Sequence, residues 1–392
     1  MPEQHDLDLG GSGAAFETSD SFTETTNQSW FSRLGGALKG IIIGLILLPV
    51  AGFLLFWNEG RAVQTARSLA EGAGIVQSVS AERPDPANEG RLVHVSGAVR
   101  AEKPPGDTEL GVAPPPGTLR LIRQVEMYQW QEQTSSETRN KLGGGTETVT
   151  TYNYRRVWQE GRIDSSRFRQ PEGHQNPQMR YTSTAFNAPG VTLGGFRLSD
   201  AQVSGLSGGE AFAPSGAASD GARYMGGNAE TPRVGDVRVT WRAIRPEALS
   251  VIAAQQGDGF GPYATRAGDR LFRLDHGRVP AAAMIQAAQD ENRILTWILR
   301  AVGVLVMFIG WSLIFNPLKV LADVIPPLGA VIGFGAGLFA AVLTAVFAPA
   351  IIAIAWLFYR PLVGILILAA GAGLAYGLTR LRRSRPLQGK LA

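Results

Sequence analysis

The chain has no cysteine among its 392 residues. That excludes a disulfide framework, a thiolate nucleophile and any Cys-ligated metal centre, and it leaves stability to packing alone. Histidine is scarce as well. Four occur, and His94, His174 and His276 lie 80 and 102 residues apart. Zinc sites usually draw closely spaced pairs from one element, so no metal is expected. No phosphate-binding loop, dinucleotide fingerprint, H-E-x-x-H or G-x-S-x-G pattern occurs either. No cofactor and no enzymatic reaction are expected.

Charge is missing from long tracts. Gly40 to Trp57 carries none, Val324 to Tyr359 is a run of 36 uncharged residues, and 18 more follow Pro361 before Arg380. A bilayer core of ~30 Å needs about 20 apolar residues in a helix. The mean hydropathy of +0.02 therefore averages membrane spans with a polar middle, and the chain reads as an integral membrane protein.

The charges that remain are unevenly placed. Residues 1–30 give −6, residues 31–57 give +2, residues 294–392 give +7 and the middle gives only +1. The basic excess lies at membrane edges, where it sets topology or meets anionic lipid. A nucleic-acid footprint is absent from the middle region, so no nucleic acid is expected as a partner. No basic n-region opens the chain, which predicts a retained anchor rather than a cleaved signal peptide.

Residues 1–33 are acidic, rich in Gly, Ser and Thr and without hydrophobic period, which predicts a disordered tail. A first span is expected over 34–57 and a second over 294–315. The 36-residue run is too long for one upright helix and too short for two. Arg33 and Lys39 precede the first span and "RLRRSRP" follows the last, so an even number of spans satisfies the charge rule. The expectation is a third span over 328–357, a tight turn at "FYRP" with Arg360, a fourth over 362–378 and a basic cytoplasmic tail over 379–392.

Two features of the spans are candidates for function. Arg300 lies inside the second span; with no acid in any predicted span, snorkelling to the interface is favoured over an intramembrane functional charge. Gly329, Gly333 and Gly337 recur every fourth residue and place small residues on one helix face, for packing among the helices or for a seam between copies.

Residues 58–293 form the middle domain. "GDVRVTWRAI" alternates apolar and polar residues and reads as a half-buried strand. "LRLIRQVEMYQWQEQ" and "TETVTTYNYRRVWQEG" flank "TRNKLGGG" and read as a long antiparallel hairpin. The Pro-rich 101–117 and the Gly/Ser/Ala-rich 203–232 read as loops. The fold class expected is thus α+β: four transmembrane helices, with a β-rich extracytoplasmic domain between the first and second.

Within that domain "GHQNP" poses the one chemical question. Glu172 beside His174 could form an acid–base couple. Alternatively Gly173 and Pro177 fix a chain reversal in which Asn176 bonds its own backbone, and His174 holds the turn against the sheet. The architectural reading is favoured.

Seven stretches, "WNEGRAV", "GRLVHVSGA", "RQVEMYQWQE", "YNYRRVW", "GHQNP", "VGDVRVTW" and "WLFYRPL", occur in this order from about Asn58 onward, the first beginning at Trp57. In them the chain resembles the LUMA family (transmembrane protein 43). The resemblance implies four spans, cytosol-facing ends and a large lumenal domain. It also implies residence in the endoplasmic reticulum and inner nuclear membrane for eukaryotic members, which act as scaffolds, self-associate and meet emerin and lamins. The Ala/Gly/Arg-rich composition points to a bacterial source, where the domain faces the periplasm and those two partners do not carry over. No catalytic residues transfer. A non-enzymatic scaffold with membrane lipids, further copies and unidentified membrane or periplasmic proteins as partners is the leading expectation. A channel or transporter subunit is the alternative.

Overall fold

The computed structural model describes residues 20–227 and 230–362, with Ile365, Leu366, Ala369, Gly371, Gly373 and Tyr376 beyond them. Among these residues three helices are long and apolar enough to cross a membrane. Helix α1 spans Trp30–Ile75, α2 spans Ala281–Ala322 and α3 spans Pro326–Tyr359. Ser29 starts α1 by accepting a hydrogen bond from the Ser32 amide, and Pro280 precedes the first turn of α2, where a missing N–H costs nothing. At 46 residues α1 is about 69 Å long, so only part of it can lie in hydrocarbon.

Helices α1 and α2 run antiparallel along a seam of small residues. A Cβ on Gly44 would meet the Gly310 carbonyl at 2.6 Å, and one on Gly303 would meet the Leu55 side chain at 2.6 Å. The "GIIIG" spacing of Gly40 and Gly44 makes this close approach possible. Ala51 and Leu55, both fully buried, pack there with Met307 and Ala348. Helix α3 returns alongside, parallel to α1.

The β-rich domain contains two seven-stranded sheets. The longest strands are β1 (Asp20–Gln28), β2 (Leu92–Arg100), β3 (Arg120–Asn140), β4 (Thr146–Glu160), β5 (Val237–Ile244) and β6 (Ala248–Gln256). The first sheet has the order β1-β4-β3-β5 with three short strands added. Its core lies at the β3–β5 end, where Val125, Met127, Val239 and Trp241 are buried. The second sheet centres on the β2–β6 pair, and its inner face packs Val93, Val95, Leu193, Phe196, Leu249 and Val251. Leu69 of α1 and Met284 of α2 join Leu92 and Ile252, so both helices end inside the domain. We call this end of the molecule the head and the opposite end of the helices the base.

Several expectations are corrected. Residues 20–28, assigned to the disordered tail, form β1, because they add to the edge of β4 in antiparallel register from Asp20↔Tyr154 to Gln28↔Thr146. Backbone pairing supplies the order that hydrophobic pattern does not. Helix α1 continues well past residue 57, and α2 runs through to Ala322 rather than ending at 315. The interval 203–232 is not wholly irregular, since Glu210–Phe212 and Arg223–Met225 both pair with β5. The fourth span and the basic tail fall largely outside the described residues.

Candidate functional site

The feature that sets this molecule apart is built from β1, β4 and β3. Beyond Trp130 the β3–β4 hairpin leaves the head and, with β1, forms a three-stranded blade. Thr, Ser, Asn, Gln and Glu dominate both of its faces, with Phe22 and Tyr152 on one and Val149 on the other, and residues 133–140 are exposed. Hydroxyl pairs cross the strands, with Ser136 to Thr150 at 3.0 Å and Thr138 to Thr148 at 2.9 Å.

At the base the hairpin tip touches the helices. The Gly143 amide donates to the Val324 carbonyl at 3.2 Å, the Trp30 indole donates to Val320 at 2.8 Å, and Arg33 bonds both Gly144 and the buried Asp323. Gly144 is required here: its φ is +81°, and a Cβ would collide with the Trp30 ring. The fourteen residues from Tyr128 to Lys141 cover about 43 Å as a strand. Residues 30 to 58 of α1 cover about 42 Å as a helix. The hydrophilic blade is therefore about as long as the stretch of α1 that carries Gly40 to Trp57, and both start at the base and lead to the head.

Both edges of the blade are open. β1 pairs with β4 on one side and has no strand on the other among the described residues. On β3 the outer edge is taken by the Gly235–Asp236 backbone at Tyr128 and by Asn176 at Trp130. From Glu132 to Asn140 no described strand covers it.

The "GHQNP" turn anchors the blade at the head. Asn176 does not bond its own backbone as expected. Its Oδ1 accepts from the Trp130 amide at 2.7 Å and its Nδ2 donates to the Trp130 carbonyl at 2.9 Å, so one side chain mimics a neighbouring strand. His174 is buried; its ring stacks on Tyr154 at 4.0 Å and meets Trp130 edge-on at 4.7 Å. Its Nδ1 bonds the Gln170 carbonyl and its Nε2 bonds Asp20 of β1, each at 2.9 Å. Both nitrogens are occupied and Glu172 is exposed away from them, so the acid–base couple does not form. The Tyr154 hydroxyl, pushed up to about 12 by burial and by its bond to Glu132, stays a neutral donor. Pro177 packs 3.0 Å from where a Cβ on Gly235 would lie, and its carbonyl accepts from Arg162.

A second anchor joins the three helices at the head side of the apolar stretch. Arg300 does not snorkel. It donates twice to Glu59, at 2.6 and 2.9 Å, and the Trp356 indole donates to the same carboxylate at 2.8 Å. The Arg300 and Glu59 side chains retain only 16% and 3% of their exposure. Asn58 donates to the Thr296 carbonyl, Arg61 bonds Asn292 and Thr296, and Gly60 abuts Tyr359. Every polar residue of "WNEGRAV" is spent on α2 or α3. Glu59 lies two residues beyond the apolar run, outside the span that the sequence predicts. Arg360 closes α3 through its amide and leaves its side chain exposed. Gly329 and Gly333 face Asp323 and Lys319 at the base, whereas Gly337 faces open space.

Among the described residues no cluster of three metal-ligating side chains occurs. The buried Asp107 is spent on Arg123 and the Trp241 indole.

A family model described as transmembrane protein 43 matches residues 127–361. The mouse and human proteins called Transmembrane protein 43 are each 35% identical to the chain. The matches cover 88% and 90% of it, and 90% and 92% of those proteins. The chain belongs to the transmembrane protein 43 family. A Drosophila melanogaster protein called Transmembrane protein 43 homolog is 28% identical over 92% of the chain and 97% of its own length. No solved structure matches. Family membership and the apolar helices together make this a membrane protein with a β-rich domain. Two groups of family motifs meet in space: "WNEGRAV" closes against "WLFYRPL", and "GHQNP" joins "RQVEMYQWQE" to "YNYRRVW".

Proposed function

We propose that the protein is a non-enzymatic membrane scaffold that assembles with copies of itself through the two open edges of its blade. The carrying observation is a blade with polar residues on both faces, covered by no strand at either outer edge among the described residues, that runs from the base to the head as the apolar helices do. Unpaired backbone in hydrocarbon costs several kcal/mol per group, so lipid is the wrong neighbour. Copies in one membrane share one orientation and are related by rotation about its normal. Rotations of higher order than a two-fold give heterologous contacts, in which the β1 edge of one copy meets the β3 edge of the next. β1 and β3 are both antiparallel to β4, so the joint is a parallel pair, and a closed ring leaves no edge. Helices and lipid lie outside that ring.

In this reading both chain ends and the base are cytoplasmic, a fourth span over 362–378 completes an even number, and the head works outside the inner membrane on protein or lipid partners. A second reading follows from the same observation. A ring of blades polar on both faces encloses a hydrophilic lumen, and if it is wide enough the assembly conducts.

The absence of cysteine makes the test clean. One chain carrying Thr25→Cys is co-expressed with another carrying a cysteine scanned over Thr134 to Thr138. Oxidation in native membranes is expected to give a mixed crosslink at one or two positions and none between Thr25→Cys copies. A scan without any inter-copy product sinks the proposal. Ion flux through liposomes holding the purified protein separates conduit from scaffold.

A further inference from the structure

We infer that the base of the molecule holds the headgroup of an anionic phospholipid, in a cavity between the ends of α1 and α2. This rests on the reading of the chain as a membrane protein but not on its self-assembly. The cavity measures about 680 Å³ and is lined by Gln28, Ser32, Arg33, Lys39, Asn316 and Lys319, with Gly35 and Gly36 as part of its wall.

Its charge is one-sided. Arg33 is neutralised by Asp323, but among the described residues Lys39 and Lys319 have no carboxylate partner and no acid lines the space. Two unpaired ammonium groups beside hydroxyl and amide donors describe a phosphate-bearing anion. Position names the source. The uncharged run of α1 begins at Gly40, immediately after Lys39. Phe31, Leu38, Ile42, Leu318 and Leu321 are exposed around the same two helix ends. A ligand with a charged head and apolar tails satisfies both surfaces at once, whereas a soluble phosphate leaves the apolar rim bare. Basic pockets between helices at a membrane boundary suit such headgroups.

The two glycines keep the volume open. A Cβ on Gly35 or Gly36 meets nothing within 4 Å, so a larger side chain there fills the cavity without altering a charge. That separates a shaped site from a diffuse basic surface.

The full chain is placed in nanodiscs of phosphatidylcholine, or of phosphatidylcholine with phosphatidylglycerol, and Tm and retained lipid are measured. Phosphatidylglycerol is expected to raise Tm and to be retained through purification. Lys39→Gln with Lys319→Gln weakens retention roughly thirtyfold, and the Arg pair at the same positions keeps it. Gly36→Leu also loses retention while its Tm in phosphatidylcholine stays that of the wild type. Equal retention in the double Gln variant, unchanged retention in Gly36→Leu, or an equal Tm rise from inorganic phosphate in phosphatidylcholine discs each overturns the inference.

Discussion

Glu59 and Arg300 meet where three helices leave the apolar layer, and Trp356 completes the cluster. Pairs of this kind add little over a well-packed apolar pair, because desolvation offsets attraction, but breaking one side leaves a buried charge. Glu59→Ala is therefore expected to lower stability by about 3–5 kcal/mol. Replacing both residues by Met is expected to cost clearly less than the sum of the single changes. Denaturant unfolding of the detergent-solubilised protein, followed by Trp fluorescence, measures both. Equal, additive losses would show that the two side chains act independently.

The elements are tied to one another by polar contacts as well as by core packing. The short strand Arg273–His276 pairs with β6, and Arg273 donates to Glu291 of α2 at 2.7 and 2.9 Å. The guanidinium's hydrogen bonds hold the Glu291 carboxyl below its ordinary range. A depressed carboxylate contributes stability that is present above its unfolded pKa of about 4.3 and is lost as pH falls through the lower folded value. Glu291→Gln is thus expected to lower Tm modestly at pH 7, since the pair is partly exposed, and to match the wild type below about pH 3. Melting curves across pH test the sign; a difference that grows toward acid contradicts it.

For the molecule as a whole, the membrane character and the long hairpin were legible, because uncharged runs and period-two patterning report burial directly. β1 was not. "DSFTETTNQ" has one large apolar residue, Phe22, and becomes a strand only because β4 offers it an edge. Nor could pattern show that Asn176 reaches Trp130 or that Glu59 finds Arg300, since those partners lie 46 and 241 residues apart. The family motifs flagged both places without stating what they do. Least legible was the blade's position beside apolar helices, which follows only from contacts at its two ends.

The central claim is that copies join through the blade's edges, and one proline tests it most directly. Even-numbered residues of β3 turn their amides outward, as Tyr128 and Trp130 do when they bond Asp236 and Asn176. Ser136→Pro removes one outward N–H and leaves the β3–β4 pairing intact, an arrangement edge strands tolerate. The particle mass of wild type and variant in lipid nanodiscs decides the matter. The expected result is a multiple of 41.9 kDa for the wild type and a single copy, equally stable, for Ser136→Pro. A wild type that is already a single copy, or a variant whose assembly is undiminished, contradicts the account.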